Sequence, residues 1–399
     1  MQFLTNTKIP FLKYRTTFVW VSAALLLITV AELFFLGGIN FGIDFTGGTQ
    51  LTVKKVDSVP IDDLRNALSD AGMREVQIQS YGADEDNEVL IKTPIKEGSE
   101  EGTSEEVIAA LDAALNPDRG NKPDLNQRGF NDIASLLQAA DPDGKAAEGP
   151  QVARAHYETI AQGVIDARRA NTIFSSFDQI KAVEGLSPAA ASVLESQSYI
   201  GHFLIRSNES VGPQIGSELR TKGYLAVALS LIGMLMYIWY RFELRFGIGA
   251  LVAVFHDFLI TLGLFALIDF EFNLSTIAAF LTLVGYSVND TVVIFDRVRE
   301  NMRRFRRRPL EDLMNLSINQ TLSRTVLTSG TTLLVVGSLF FAGGEVLRPF
   351  SFVLLIGIII GTYSSIFVAS PFALLWERWT GGEDEADSGK KRRDAEQPA

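Results

Sequence analysis

The chain has 399 residues, no cysteine and a net charge of −11, with 47% hydrophobic and 21% charged residues. Without cysteine there is no disulfide, no thiolate chemistry and no Cys-based metal site. The acidic balance excludes a nucleic-acid partner, whose phosphates need a basic face.

The apolar residues gather into runs near 17–36, 224–240, 247–268, 274–295, 325–342 and 350–376. Each is about the length that spans a hydrocarbon core of roughly 30 Å. Six crossings are therefore expected, making this an α-helical membrane protein. The first run, 17–36, follows a short N-terminus at 1–16. It is longer than the apolar part of a signal peptide and no small-x-small cleavage site follows it directly, so it is read as a retained anchor. Glu32 near its end is tolerable if it snorkels or faces another helix.

Residues 37–222 come next and hold 29 Asp and Glu against 17 Lys and Arg. Phe41 to Phe45 alternates and predicts a strand, with a bulge or turn at Gly47-Gly48 before Gln50–Val53. Asp62–Ala71 predicts a helix with Leu64, Leu68 and Ala71 on one face. Val76–Gln79 and Glu88–Ile91 read as strands separated by an acidic turn. Thr103–Leu115 reads as a helix with Glu105 and Glu106 in its first turn. A last strand covers Phe203–Arg206. This β-α-β-β-α-β order predicts a small α+β, ferredoxin-like external domain. An insertion near 117–198 interrupts it, with helices over Asn131–Ala139 and Gln151–Asn171. A helical hairpin over Phe177–Ser196 follows, and on an acidic domain it is a packing element rather than a DNA-binding motif.

The other five spans occupy 223–376, and the polar tail 377–399 is expected to be disordered. Lys and Arg in short loops set the orientation. Lys8, Lys13 and Arg15 precede span one, and Arg241 and Arg245 join spans two and three. Seven arginines from Arg297 to Arg308 join spans four and five, whereas the opposite loops 269–273 and 343–349 hold only Arg348. Both termini are thus expected to be cytoplasmic and 37–222 external. The arginine-rich loop is read as a topology signal that contacts anionic lipid.

No P-loop, no Gly-x-Ser-x-Gly elbow and only three histidines are present, so neither an enzyme, a cofactor nor a metal is expected. What remains is ionisable groups inside the apolar runs, where each costs roughly 2.5–3.5 kcal/mol at a span centre. His256-Asp257 falls near the middle of span three. Asp290 in span four and Arg324 at the start of span five fall at similar depth on consecutive antiparallel helices, and an ion pair between them is expected. That pair reads either as structural, with Arg324 snorkelling as the alternative, or as a proton relay in which Asp290 alternates between paired and protonated states. Gly285, Ser287, Asn289 and Thr291 in span four suit close helix contact, as do Gly357 and Gly361 in span six.

Several of these segments form ordered motifs. They are Phe41-Gly42-Ile43-Asp44-Phe45-Thr46-Gly47-Gly48-Thr49, Val211-Gly212-Pro213-Gln214-Ile215-Gly216, His256-Asp257, the stretch Gly285 to Arg297 and Thr321-Leu322-Ser323-Arg324-Thr325. Together they resemble the SecD/SecF family of protein-export membrane proteins, on its SecF side. The resemblance implies half of a resistance-nodulation-division type bundle in the bacterial inner membrane, with 37–222 in the periplasm. It implies pairing with SecD and assistance to the SecYEG translocon, with YajC as a possible further partner. The cargo would be unfolded exported polypeptide, moved with the proton gradient. Asp290 and Arg324 carry over as relay residues, together with His256 and Asp257. The insertion 117–198 departs from the compact external domain of that family. Two other readings compete: a small-molecule or lipid exporter of the same superfamily, which would need a second long external loop, and a scaffold, in which neutral residues could replace the ionisable ones.

Overall fold

The computed structural model describes residues 7–56, 60–73, 76–82, 87–94, 103–117, 120 and 122–379. Most of the acidic turn between the second and third strands, and the tail beyond Trp379, lie outside the described residues. In chain order the elements are α1 (Arg15–Ala31, continued by a π-helical turn Glu32–Leu36), α2 (Ile43–Thr46), β1 (Gly48–Lys55), α3 (Ile61–Asp70), β2 (Gln77–Tyr81) and β3 (Glu88–Thr93). Then come α4 (Thr103–Leu115), α5 (Phe130–Ala140), α6 (Pro150–Asn171), α7 (Phe177–Lys181), α8 (Pro188–Gln197) and β4 (Phe203–Val211). The chain closes with α9 (Pro213–Arg241), α10 (Leu244–Leu267), α11 (Leu274–Arg304), α12 (Leu310–Ala342), α13 (Arg348–Ser364) and α14 (Ser370–Trp379).

These elements fall into two compact units, Thr46–Ser217 and the remainder. The first is a four-stranded sheet in the order β2-β3-β1-β4, antiparallel throughout. Leu51 on β1 pairs with Ile91 and Asn208, and a bulge at Thr52/Val53 shifts the register with β4. Leu51, Val53, Leu64, Leu68, Ile91, Val107, Leu111 and Phe203 form its core. The strand expected at Phe41–Phe45 is absent: Ile43–Thr46 is a helical turn and β1 begins at Gly48. Five alternating residues are too few to separate a strand from a turn whose aromatic rings have other partners. Phe41 and Phe45 pack on Phe272 at 5.8 and 6.0 Å between ring centres. The Asp44 carboxylate accepts from the Leu274 N–H at the start of α11, 2.9 Å away, where free helical N–H groups favour an anion. Gly47 has φ +69°, and a Cβ there would stand 3.1 Å from the Pro213 Cα, so only glycine fits this turn without strain.

The insertion builds a second core in the same unit, α5–α8 closing around Leu137, Tyr157, Phe174 and Leu194. Its base is held by Asn126, which donates to the carbonyls of Phe174 and Gly201 and accepts from the Phe174 N–H, all within 2.9 Å. The Arg168 guanidinium donates to the carbonyls of Leu125, Asn126 and Arg128. The hairpin turn ends in an N-cap, Ser187 accepting from the Ala190 N–H of α8 at 3.0 Å.

The other unit contains six helices long and apolar enough to cross a membrane: Phe11–Leu36, Pro213–Arg241, Leu244–Leu267, Leu274–Arg304, Leu310–Ala342 and Glu345–Trp379. The third, fourth and sixth form the buried centre, while the first, second and fifth leave most of their apolar surface uncovered. A cage of phenylalanines, with Phe265 among Phe270, Phe272, Phe280 and Phe352, fills one end. Small residues set the helix spacings. A Cβ on Gly263 would stand 2.6 Å from the Thr29 Cα, and one on Gly249 would stand 2.7 Å from the Ala369 carbonyl oxygen. Two backbones that close leave no room for a side chain.

Candidate functional site

The buried polar groups of the helical unit meet where α10, α11 and α13 pack together. Asp257 on α10 is 1% exposed. Its Oδ2 accepts from Ser287 of α11 at 2.5 Å and from Ser364 of α13 at 2.7 Å, and its Oδ1 lies 2.9 Å from His256 Nδ1. Burial strips water from a carboxylate, and these three partners replace it. At Gly361 a Cβ would stand 3.4 Å from the Ser287 Cα and 3.5 Å from Asp257 Oδ2, ordinary contact distances. One turn earlier, a Cβ on Gly357 would come within 2.3 Å of the Leu283 side chain.

The far side of the histidine continues the network to α1. His256 Nε2 is 2.9 Å from Ser22 Oγ, Ser22 contacts the Tyr363 hydroxyl, and Tyr363 donates to the Phe18 carbonyl at 2.9 Å. Each hydroxyl has one proton to give. With Tyr363 spent on Phe18, Ser22 must donate to Tyr363, so His256 Nε2 must carry the proton that points at Ser22. Nδ1 then either carries a second proton facing an ionised Asp257 or accepts one from a protonated Asp257. All these bonds stand together only when the His256–Asp257 pair holds one proton between its two members.

Asp290 lies three residues beyond Ser287 on α11 and is also buried. Its Oδ2 accepts from Ser329 of α12 at 3.3 Å, and Thr362 of α13 bonds both to it and to Ser329. Helices α11 and α13 therefore each contribute to both carboxylates. The ion pair expected between Asp290 and Arg324 is not formed: Arg324 is exposed, and its charge acts on Asp290 without contact. Equal depth places two residues at one height but does not fix the direction in which each faces, and Arg324 faces outward from α12. Asp296, further along α11, pairs with Arg241.

Gly285 and Asn289 do not pack within the chain. Both are exposed, and a Cβ on Gly285 would meet nothing within 4 Å. They line an open groove with Gly233 and Tyr237 of α9. Glu32 is buried, as facing another helix requires. Sequence reasoning missed Ser22, Ser329, Thr362, Tyr363 and Ser364 altogether and gave Ser287 only a packing role. For Thr362, Tyr363 and Ser364 the available signal was a run of consecutive hydroxyls near the middle of span six. Among the described residues no cluster of side chains could hold a metal ion.

Comparison with known proteins identifies the family. The family model described as protein export membrane protein SecD/SecF, C-terminal, matches residues 192–379, and the SecD/SecF GG motif matches 33–54. A protein translocase subunit SecF from Koribacter versatilis is 42% identical over 395 residues, covering 96% of this chain and 95% of its own. The SecF of Desulfurispirillum indicum is 36% identical, covering 92% and 91%. The crystal structure of SecDF, a translocon-associated membrane protein from Thermus thermophilus, superposes with a TM-score of 0.63 at 30% identity, over 95% of this chain and 40% of that longer one. Over nearly its whole length, therefore, the chain belongs to the SecF family of protein translocase subunits.

Proposed function

We propose that the protein serves polypeptide export as the SecF-type half of a proton-coupled membrane complex, with His256 and Asp257 as its proton-holding pair and Asp290 as a second carboxylate station. The observation that carries this is the donor count around Asp257, which leaves one proton shared inside a buried cluster with no other charged partner. A carboxylate that needs three donors to stay ionised, next to an imidazole, can take up and release that proton by small helix movements. Arg324 enters as a charge facing outward, available to a partner's helices rather than locked to Asp290.

A SecD-like subunit is the partner, and the SecYEG translocon, with YajC beside it, is the larger assembly. The uncovered faces of α9 and α12, together with the polar Asn289 exposed in an apolar span, support a membrane partner. The chain works in the inner membrane with both termini cytoplasmic and 37–222 periplasmic, an orientation that the arginine distribution supports. It carries no ATPase or hydrolase activity of its own. One proton crossing 100 mV is worth about 2.3 kcal/mol, enough to bias a two-state external domain tens-fold.

The test is export completion in inverted vesicles with and without an imposed proton gradient. Asp257→Asn and Asp290→Asn should keep abundance and partner association near normal and lose the gradient-dependent stimulation. Full stimulation in both variants would favour the scaffold reading.

A further inference from the structure

A cavity of about 660 Å³ runs between α1, α10 and α14. Its walls are Val19, Ala23 and Leu26 on one face of α1, Val252 and Leu259 of α10, and Leu375 of α14. Ser22 and His256 in the wall bond to each other at 2.9 Å, so they ask nothing of an occupant, and Thr16 adds a hydroxyl next to Arg15. From Arg15 to Leu26 the slot is about 16 Å long at 1.5 Å per residue, close to the roughly 15 Å depth of one leaflet's hydrocarbon.

Arg15 and Arg378 stand at its mouth. Both reach Glu311, at 3.1 and 3.5 Å, so two guanidiniums converge on one carboxylate at the first turn of α12. That contact also fixes which end of the bundle the mouth faces. It is the end where the arginine-rich loop of residues 303–308 enters α12, the end at which anionic headgroups gather.

From a leaflet-deep apolar slot with a cationic mouth, we infer a binding site for one acyl chain of an anionic phospholipid, its phosphate at Arg15 and Arg378. A soluble anion would use the mouth and leave the slot unfilled; a zwitterionic lipid would fill the slot and lose the charge match.

The experiment uses the full chain, purified in detergent and stripped of lipid, with phosphatidylglycerol carrying a photoactivatable group on one acyl chain. Crosslinks in the wild-type protein should map to the facing surfaces of α1, α10 and α14. Their yield should exceed that of phosphatidylcholine with the same chain by roughly thirtyfold, the equivalent of about 1 kcal/mol for each of the two arginines. Arg15→Gln with Arg378→Gln should reduce the phosphatidylglycerol yield to the phosphatidylcholine level, and Ala23→Leu should abolish slot crosslinks for both lipids. Excess glycerol phosphate should not compete. Crosslinks spread evenly over the exposed faces of α9 and α12, equal yields for the two lipids, or full displacement by glycerol phosphate would each overturn the assignment. The wild-type map stands even where a variant fails to fold.

Discussion

Asp257 is held by donors from two other helices, so its environment is set by single hydroxyls. Ser364→Ala removes one donor from a buried carboxylate and should cost about 1–3 kcal/mol, read as a lower unfolding temperature in detergent. Arg324→Gln should change the same measurement by less than about 0.5 kcal/mol, because the exposed guanidinium makes no ion pair with Asp290. The sequence reading of a bonded Asp290–Arg324 pair requires a large loss instead. Asp257 and Asp290 were legible because charges stand out in apolar runs. The serines were not, since serine in a membrane helix is also a common small packing residue.

A second residue-scale consequence lies in the insertion. Burial raises the Asp143 carboxyl, but the Ser187 hydroxyl at 2.5 Å, the His156 ring at 2.8 Å and the Lys145 charge outweigh it and hold Asp143 below the usual carboxylate range. A depressed acid adds stability that is present above its unfolded value, about 3.9, and is lost as pH falls through its folded value. Hydrogen exchange in peptides of α6 and α8, corrected for intrinsic rate, should therefore show weaker protection as the pH drops below about 4. Asp143→Asn should flatten that dependence. An unchanged pH response in the variant would assign the loss to other groups.

At the scale of elements, glycines divide into those that set spacings inside the chain and those that face outward. Gly357→Ala drives a methyl into Leu283 and should cost about 1–3 kcal/mol. At Gly285 a Cβ meets nothing within 4 Å, so Gly285→Leu starts into the open groove and should leave the unfolding temperature unchanged while reducing co-purification with a SecD-like partner. Normal recovery of the partner would place the interface elsewhere. The periodicity and length of the spans made all six helices readable, as did the helices of the insertion, whose ends agree to a residue or two. The short motif at Phe41–Phe45 was misread because its alternation serves ring packing on Phe272 and a cap on α11, both distant in sequence.

At the scale of the whole molecule, the insertion leaves and returns at one point. The His202 N–H donates to the Asn116 side chain at 3.0 Å, and the Tyr199 hydroxyl donates to Asp112 at 2.9 Å. Its core and that of the sheet share no residue. Replacing 117–198 with a short Gly/Ser linker should thus keep the sheet and the membrane assembly, because closing so short a gap costs little entropy. Loss of partner association on that deletion would make the insertion part of the interface. The β-α-β-β-α-β order was legible from the strand and helix signals alone, whereas the separate core of the insertion depends on Asn126 and Arg168, whose long-range bonds have no local signature.

Proton coupling in this protein centres on the one proton proposed to be shared by His256 and Asp257. Infrared difference spectra of the reconstituted protein, recorded as a proton gradient is imposed and collapsed, report a carboxyl C=O band when an aspartate takes up or releases a proton. Such a band is expected in the wild type, shifted in heavy water, lost in Asp257→Asn and displaced in frequency by Ser364→Ala. A gradient-dependent band that persists unchanged in Asp257→Asn would contradict that proposal.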